Sequence, residues 1–298
     1  MPAPPSGAPG FPPSLTALLA DGGRRLTAAG ISTAVLDAEL LLRHILGWDR
    51  ASLVTRAGEV VPEAAVRLYD AAIAQRALRR PLQHLTGVQA FWRHEFLVTP
   101  DVLIPRPETE FLVEAALRRL DGGAAPVIVD VGTGSGCIAL SLAAERPEAT
   151  VHAIDISPAA LAVARANAAR LGLQHRIQFH EGDLLEPARP LAGTVDLVAS
   201  NPPYVSREEW QRLDPEVRDH EPRRALVPEG GLERHYARLF AGIRDVLRDG
   251  GWGVVEMGAG QAAELSPLAL GAELDMVEIV PDLQGIPRVL VLRRPARA

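Results

Sequence analysis

The chain has 298 residues, 47% hydrophobic, 23% charged and only 4% aromatic, a globular composition long enough for two domains. A formal net charge of −6 argues against a surface built chiefly to hold nucleic acid. The single cysteine, Cys137, excludes internal disulfides and multi-cysteine zinc sites, and no apolar run approaches the ~20 residues that span a bilayer.

Residues 1–13, rich in Pro, Gly and Ala and without a signal-peptide pattern, read as a disordered lead-in. The expected compartment is the cytoplasm. Residues 14–80 read as a helical N-terminal domain. Leu15, Leu18, Leu19, Leu26 and Ile31 form one apolar stripe with Gly30 as its stop. Leu36, Leu40, Leu41, Ile45 and Leu46 form a second, closed by Gly47. Pro62 opens a third helix carrying Val66, Leu68, Tyr69, Ile73 and Leu78, which Pro81 ends. This bundle carries no catalytic constellation; it either docks a partner, covers the site or serves as a stabilising cap.

Residues 81–107 read as a hairpin and linker. Ala90-Phe91-Trp92 and Glu95 to Val98 flank the turn Arg93-His94. A helix with Phe111, Leu112, Ala115 and Leu117 on one face then opens the domain of residues 108–298. Arg106 and Glu108 fit a surface pair better than a pocket wall.

From Ala125 strands and helices alternate, the pattern of an α/β fold with a mostly parallel sheet. Val127 to Val131 is a buried-type strand, followed by Gly132-Thr133-Gly134-Ser135-Gly136 and a helix from Cys137 to Glu145. Glycines at that turn let backbone approach a ligand, and the helix start offers free N–H groups. Cys137 itself reads as a small apolar residue rather than a nucleophile. Strand Thr150 to Ile154 ends in Asp155, a carboxylate able to accept both hydroxyls of a ribose. After a helix from Pro158 and a strand from Arg176 to His180, the turn Gly182-Asp183-Leu184 faces the same edge, where an adenine would lie. The dinucleotide fingerprint G-x-G-x-x-G is not matched, because the third glycine comes one residue early.

The next strand, Val195 to Ala199, ends in Asn201-Pro202-Pro203-Tyr204. That tetrapeptide suits alkylation of a planar –NH₂ group, whose delocalised lone pair makes it a poor nucleophile. The Asn201 side-chain carbonyl and a backbone carbonyl, best that of Pro202, would hold its hydrogens and aim the nitrogen. Prolines bring carbonyls without competing donors, and the Tyr204 ring would stack on the flat group. No general base stands near it, and nothing places His220 or Glu221 at the amide. The polar segment Ser206 to Gly231 reads as a substrate-facing or lid loop. A helix from Leu232 to Arg248, a strand from Gly251 to Glu256 and a terminal hairpin (Glu273 to Val280, Arg288 to Arg293) complete the chain, so the last strand is antiparallel.

Asp130-Val131-Gly132-Thr133-Gly134-Ser135-Gly136, Asp155 and Asn201-Pro202-Pro203-Tyr204 resemble the class I S-adenosylmethionine-dependent methyltransferases that modify –NH₂ groups. Arg80-Pro81-Leu82-Gln83-His84-Leu85-Thr86-Gly87 and Val102 to Glu110, with Arg106-Pro107-Glu108-Thr109 at its centre, resemble the bacterial peptide chain release factor glutamine N5-methyltransferases. The similarity covers residues 14–296. It implies a mostly parallel seven-stranded sheet with an antiparallel last strand, and methylation of the glutamine amide in the Gly-Gly-Gln motif of class 1 peptide chain release factors. By the family pattern Gly132 to Gly136, Asp155 and Asp183 bind S-adenosyl-L-methionine, with Leu184 along its adenine. Asn201 to Tyr204 hold the glutamine, with Asn201 also near the cofactor. No metal is implied. The sister enzymes that act on a ribosomal protein glutamine resemble the same core, and Arg106-Pro107-Glu108-Thr109 is associated with the release-factor branch. A nucleic-acid amino-methyltransferase is a further rival, and a nicotinamide-dependent oxidoreductase or a non-catalytic nucleotide-binding module comes from a different class. The acidic charge counts against the nucleic-acid reading, and the early third glycine, the terminal hairpin and Asn201-Pro202-Pro203-Tyr204 against the last.

Overall fold

The computed structural model describes residues 13–120 and 125–296; the expected lead-in lies, but for Pro13, outside them. The chain divides into two compact units, Met1–Thr86 and Gly87–Ala298.

The first unit is helical: α1 (Leu15–Ala28), α2 (Ala34–Leu46), α3 (Arg50–Thr55), α4 (Glu63–Ala77) and α5 (Leu82–Thr86). Ser14 caps α1 by accepting from the Ala17 N–H, and Gly47 ends α2 with φ of 66°. Leu15, Leu26, Leu41, Leu42, Tyr69 and Ile73 form the core. α1 approaches α4 so closely that a Cβ at Gly22 would stand 2.1 Å from the Tyr69 hydroxyl oxygen. Three expected core positions are instead exposed, Leu36 at 52%, Leu68 at 60% and Leu78 at 71%. The α2 face turned inward runs through Ala34, Asp37, Ala38, Leu41 and Leu42, and Asp37 is buried because Arg76 of α4 donates to it at 2.7 Å. The six-residue α3 and five-residue α5 went unread in the sequence, being too short for a periodic pattern to register.

The second unit opens with a hairpin, β1 (Val88–Phe91) and β2 (His94–Leu97), whose turn falls at Trp92 and Arg93, one residue before the expected Arg93-His94, with Trp92 at φ 55°. After α6 (Thr109–Arg119) the alternation sets in. β3 (Val127–Val131), α7 (Cys137–Glu145), β4 (Thr150–Asp155), α8 (Pro158–Arg170), β5 (Ile177–Glu181) and β6 (Val195–Ser200) lie within a residue or two of expectation. The short helices α9 (Arg207–Trp210) and α10 (Pro215–Arg218) interrupt the loop that follows. Then come α11 (Leu232–Val246), β7 (Leu247–Glu256), α12 (Ala262–Gly271), β8 (Asp275–Pro281) and β9 (Pro287–Arg293). α12 was not expected; its internal Pro267 and all-round apolar composition hide the helical period.

The sheet has seven strands in the order β5-β4-β3-β6-β7-β9-β8. The first five are parallel, and β9 inserts antiparallel between β7 and β8. α6, α7 and the hairpin cover one face, sharing a core with Ile128, Val151 and Leu197. α11 and α12 cover the other, packed on Val129, Val198 and Val255. Strand order reverses beside β3, the place where such sheets leave a crevice beyond their carboxyl ends. Register sets what meets there: Val131 pairs with both Ile154 and Ser200, so Gly132, Asp155 and Asn201 leave the sheet side by side.

Candidate active site

A cleft opens over these strand ends, and Gly132, Thr133, Gly134, Ser135, Asp155, Asp183, Leu184, Asn201, Pro202 and Pro203 all line it. Gly136 and Tyr204 do not.

The glycine loop is held tightly. The Gly132 and Thr133 N–H groups both donate to the Ile154 carbonyl, and Gly136 N–H donates to Thr133 O. Gly132, Gly134 and Gly136 sit at φ of 73°, 55° and 83°, the left-handed region where a side chain is strained. At Gly136 a Cβ would also press within 2.9 Å of Leu140. Gly136 therefore shapes the loop from behind.

Beneath the loop Asp130 is fully buried. Its Oδ2 accepts from the Thr133 hydroxyl at 2.6 Å and the Ala139 N–H at 3.1 Å, while Oδ1 has no partner among the described residues. Burial pushes its pKa up to about 7, against the pull of those two donors. Cys137 is buried beside it and pushed up to about 12 by burial, which makes it inert as a nucleophile.

Asp155 accepts from the Gly134 N–H through Oδ2 and the Ser157 N–H through Oδ1, each at 2.9 Å. Each oxygen keeps a further lone pair, an arrangement suited to a vicinal diol. Burial raises its pKa, and the two backbone donors and Arg224 oppose the rise. Ile156 lines the cleft next to it and is 52% exposed, an apolar surface waiting for a flat apolar partner. Asp183 is paired to Arg238 at 2.6 Å, and Leu184 adopts φ of 50°.

Asn201 donates from Nδ2 to the Thr109 hydroxyl at 3.0 Å, and its carbonyl oxygen has no partner among the described residues. Tyr204 departs from the stacking expected of it. Its phenol reaches inward to Glu256 at 3.4 Å, and its carbonyl accepts from Gln261 Nε2 at 2.8 Å. The ring packs on the core that Tyr236 and Val255 share.

Several wall residues, and the residues that brace them, were not singled out in the sequence. Arg106 is a cleft wall, paired at 2.6 Å with buried Glu221 rather than with Glu108. Glu221 also accepts from the Ile104 N–H at 2.9 Å, so it ties the long loop to the segment before α6. That loop contributes Pro222, Arg224, Ala225 and Glu229 to the wall, as a substrate-facing segment should. It is anchored rather than free, with a capping box at Ser206 and Glu209 and Arg223 stacked on Trp210. Buried Asn167 donates to the Ser135 and Leu97 carbonyls and accepts from the Leu97 N–H, joining β2 to the glycine loop. His235 and Arg238 of α11 complete the far side, with burial lowering the His235 pKa. For the loop and helix residues the only signal was polarity, whereas Arg106 stood in the Arg106-Pro107-Glu108-Thr109 stretch that carries the family resemblance.

A glycine-cradled crevice at the switch point, with an acid at the second strand end, defines the class I methyltransferase fold. The "ribosomal protein L11 methylase" of Lactobacillus delbrueckii subsp. bulgaricus shares it, at a TM-score of 0.50 and 17% identity, over 70% of this chain and 99% of that one. Residues 17–87 match the family described as PrmC N-terminal domain, and residues 107–233 that described as Methyltransferase small domain. The "Release factor glutamine methyltransferase" of Cereibacter sphaeroides is 44% identical over 91% of this chain and 95% of its own length. Its counterpart in Nitratidesulfovibrio vulgaris is 42% identical over 94% and 95%. The chain belongs to the release factor glutamine methyltransferase family.

Proposed function

We infer that the protein transfers a methyl group from S-adenosylmethionine to the side-chain amide nitrogen of a release factor glutamine, the one in the Gly-Gly-Gln motif of class 1 factors. Family membership supports the activity; the residue roles are read from the cleft. The fit to the cofactor rests on three features: the positive-φ glycine turn, the lone pairs left on Asp155, and apolar Ile156 and Leu184 beside them. Gly132 to Ser135 would approach its amino-acid end, Asp155 its ribose, and Asp183 and Leu184 its base. The cofactor supplies a methyl already activated on a sulfonium.

What the chain adds is orientation. The observation that carries the reading is Asn201, which lines the cleft and donates from its –NH₂ to Thr109, while its carbonyl oxygen has no partner among the described residues. That carbonyl and a backbone carbonyl from Pro202 hold the two amide hydrogens of the glutamine. They align its nitrogen and favour the positive charge that builds there as the bond forms. Tyr204 serves by supporting this turn from below. The proton leaves to water once transfer is complete. A reaction on a translation factor also places the protein in the cytoplasm.

Asn201→Ala tests this. A preorganised acceptor of this kind is worth ~2.7–4 kcal/mol, so single-turnover transfer should slow by about 10²–10³-fold with little change in cofactor affinity. Asn201→Asp keeps an acceptor and should retain partial activity. Near-wild-type rates in both would reduce Asn201 to a turn residue.

A further inference from the structure

The wall of the cleft carries an ion pair, Arg106 with Glu221, to which the transfer step gives no role. Glu221 is buried; its Oε1 accepts from Arg106 Nη2 at 2.6 Å and its Oε2 from the Ile104 N–H at 2.9 Å. With both oxygens engaged, the carboxylate holds the guanidinium in one place. Arg106 lines the cleft with 29% of its side chain exposed, and its other N–H groups have no partner among the described residues. A short path of hydrogen bonds sets this residue beside the reacting centre. The Arg106 carbonyl accepts from the Thr109 N–H at 3.1 Å, and the Thr109 hydroxyl accepts from Asn201 Nδ2 at 3.0 Å.

We propose that Arg106 donates to a backbone carbonyl of the two glycines preceding the substrate glutamine, and so reads Gly-Gly beside the amide that is methylated. The proposal rests on the substrate and the role of Asn201 inferred above. Glycine has no side chain, so only its backbone can be recognised, and the missing Cβ lets a guanidinium come close. The Asn201 and Pro202 carbonyls that hold the glutamine amide can only accept. Pro105, Pro202, Pro203 and Pro222 line the same cleft without a backbone N–H among them. A peptide drawn against that wall needs donors for its own carbonyls, because a buried carbonyl left unpaired is costly. Arg106 supplies them from a fixed fork of N–H groups, one of which is spent on Glu221.

Charge balance selects a neutral acceptor over an anion. Glu221 already offsets the charge of Arg106, so the pair has no net charge to offer the carboxylate of the cofactor, and Glu221 would repel it. A peptide carbonyl is polar but uncharged, and takes the remaining N–H groups without that repulsion. The other two arginines of the wall are placed elsewhere. Arg238 is bound to Asp183 at 2.6 Å, and exposed Arg224 lies toward Asp155, whose charged form it favours, at the ribose end. Arg106 is the guanidinium on the glutamine side.

The test is steady-state methyl transfer from S-adenosylmethionine to a purified class 1 release factor, with cofactor affinity measured by calorimetry as the check on folding. Arg106→Met keeps an apolar stem and removes the donors. It should raise KM for the release factor about tenfold and leave kcat and cofactor affinity within about twofold, since the lost bond is made equally before and during transfer. Arg106→Lys keeps the charge and the tie to Glu221 but not the planar fork, so KM should stay raised by about fivefold or more. Should Arg106→Met fail to fold, Arg106→Lys decides alone. A KM within about twofold of wild type in folded Arg106→Met overturns the proposal, and the same result in Arg106→Lys would reduce Arg106 to a tie for the loop. A loss that falls on cofactor affinity instead would assign Arg106 to the cofactor and overturn it equally. A fully active Asn201→Ala, or a release factor that the wild type leaves unmethylated, would remove the reading beneath the proposal and the proposal with it.

Discussion

Replacing Asn167 with Ala should destabilise the second unit substantially, although the residue lies on a helix and touches no ligand. Asn167 is wholly buried and fills three hydrogen-bond roles, toward Leu97 N–H at 2.6 Å, Leu97 O at 3.0 Å and Ser135 O at 2.9 Å. Truncation strands all three backbone groups. Each buried group left unpaired costs ~1–3 kcal/mol, water reaching half-buried Leu97 offsets part of this, and the net loss should be ~3 kcal/mol. The assay is urea unfolding followed by tryptophan fluorescence, since Trp92, Trp210 and Trp252 all report on this unit. Cofactor affinity should fall with it, because the Ser135 carbonyl holds the glycine loop to β2. A loss below ~1 kcal/mol, within the range of surface substitutions and small truncations, would refute the view that this side chain joins hairpin and loop.

Two further outcomes follow from the same geometry. Asp155→Ala should weaken S-adenosylmethionine binding at least about tenfold by calorimetry, since each bond to a charged acceptor is worth ~1.5–3 kcal/mol; unchanged affinity in a folded variant would contradict its placement at the ribose. Glu256→Gln should gain stability relative to wild type as pH rises from about 4.5 through about 7. The fold penalises the ionised acid, so wild type is favoured below its unfolded pKa and loses that advantage as the buried group ionises, by up to ~3 kcal/mol. A difference that does not vary with pH would show that the carboxyl does not titrate there.

The strand ends were legible in the sequence because each is a local signal. A short branched apolar run stops at Gly132, at Asp155 or at Asn201-Pro202, and parallel pairing then brings the stops together. The side chains that support them were not legible, because their partners are distant in the chain. Asn201 meets Thr109 across 92 residues, Arg106 meets Glu221 across 115, and Asn167 meets Leu97 across 70. Nothing near Arg106 in sequence distinguishes Glu221 from Glu108 as its partner. Tyr204 misled for a related reason. Its place in the tetrapeptide suggested the cleft, whereas its direction is set by Glu256 and Gln261 on later elements. The exposed Leu36, Leu68 and Leu78 show the limit of periodicity, which finds a helix but not always which of its faces turns inward.

Mass spectrometry of a class 1 release factor, incubated with the protein and S-adenosylmethionine, tests the central claim most directly. The account predicts that the peptide containing Gly-Gly-Gln gains one methyl group, located by fragmentation on the glutamine side chain, and that Asn201→Ala leaves the peptide unmodified over the same interval. An unmodified Gly-Gly-Gln peptide from the wild-type reaction, or a methyl group found elsewhere on the factor, would contradict it.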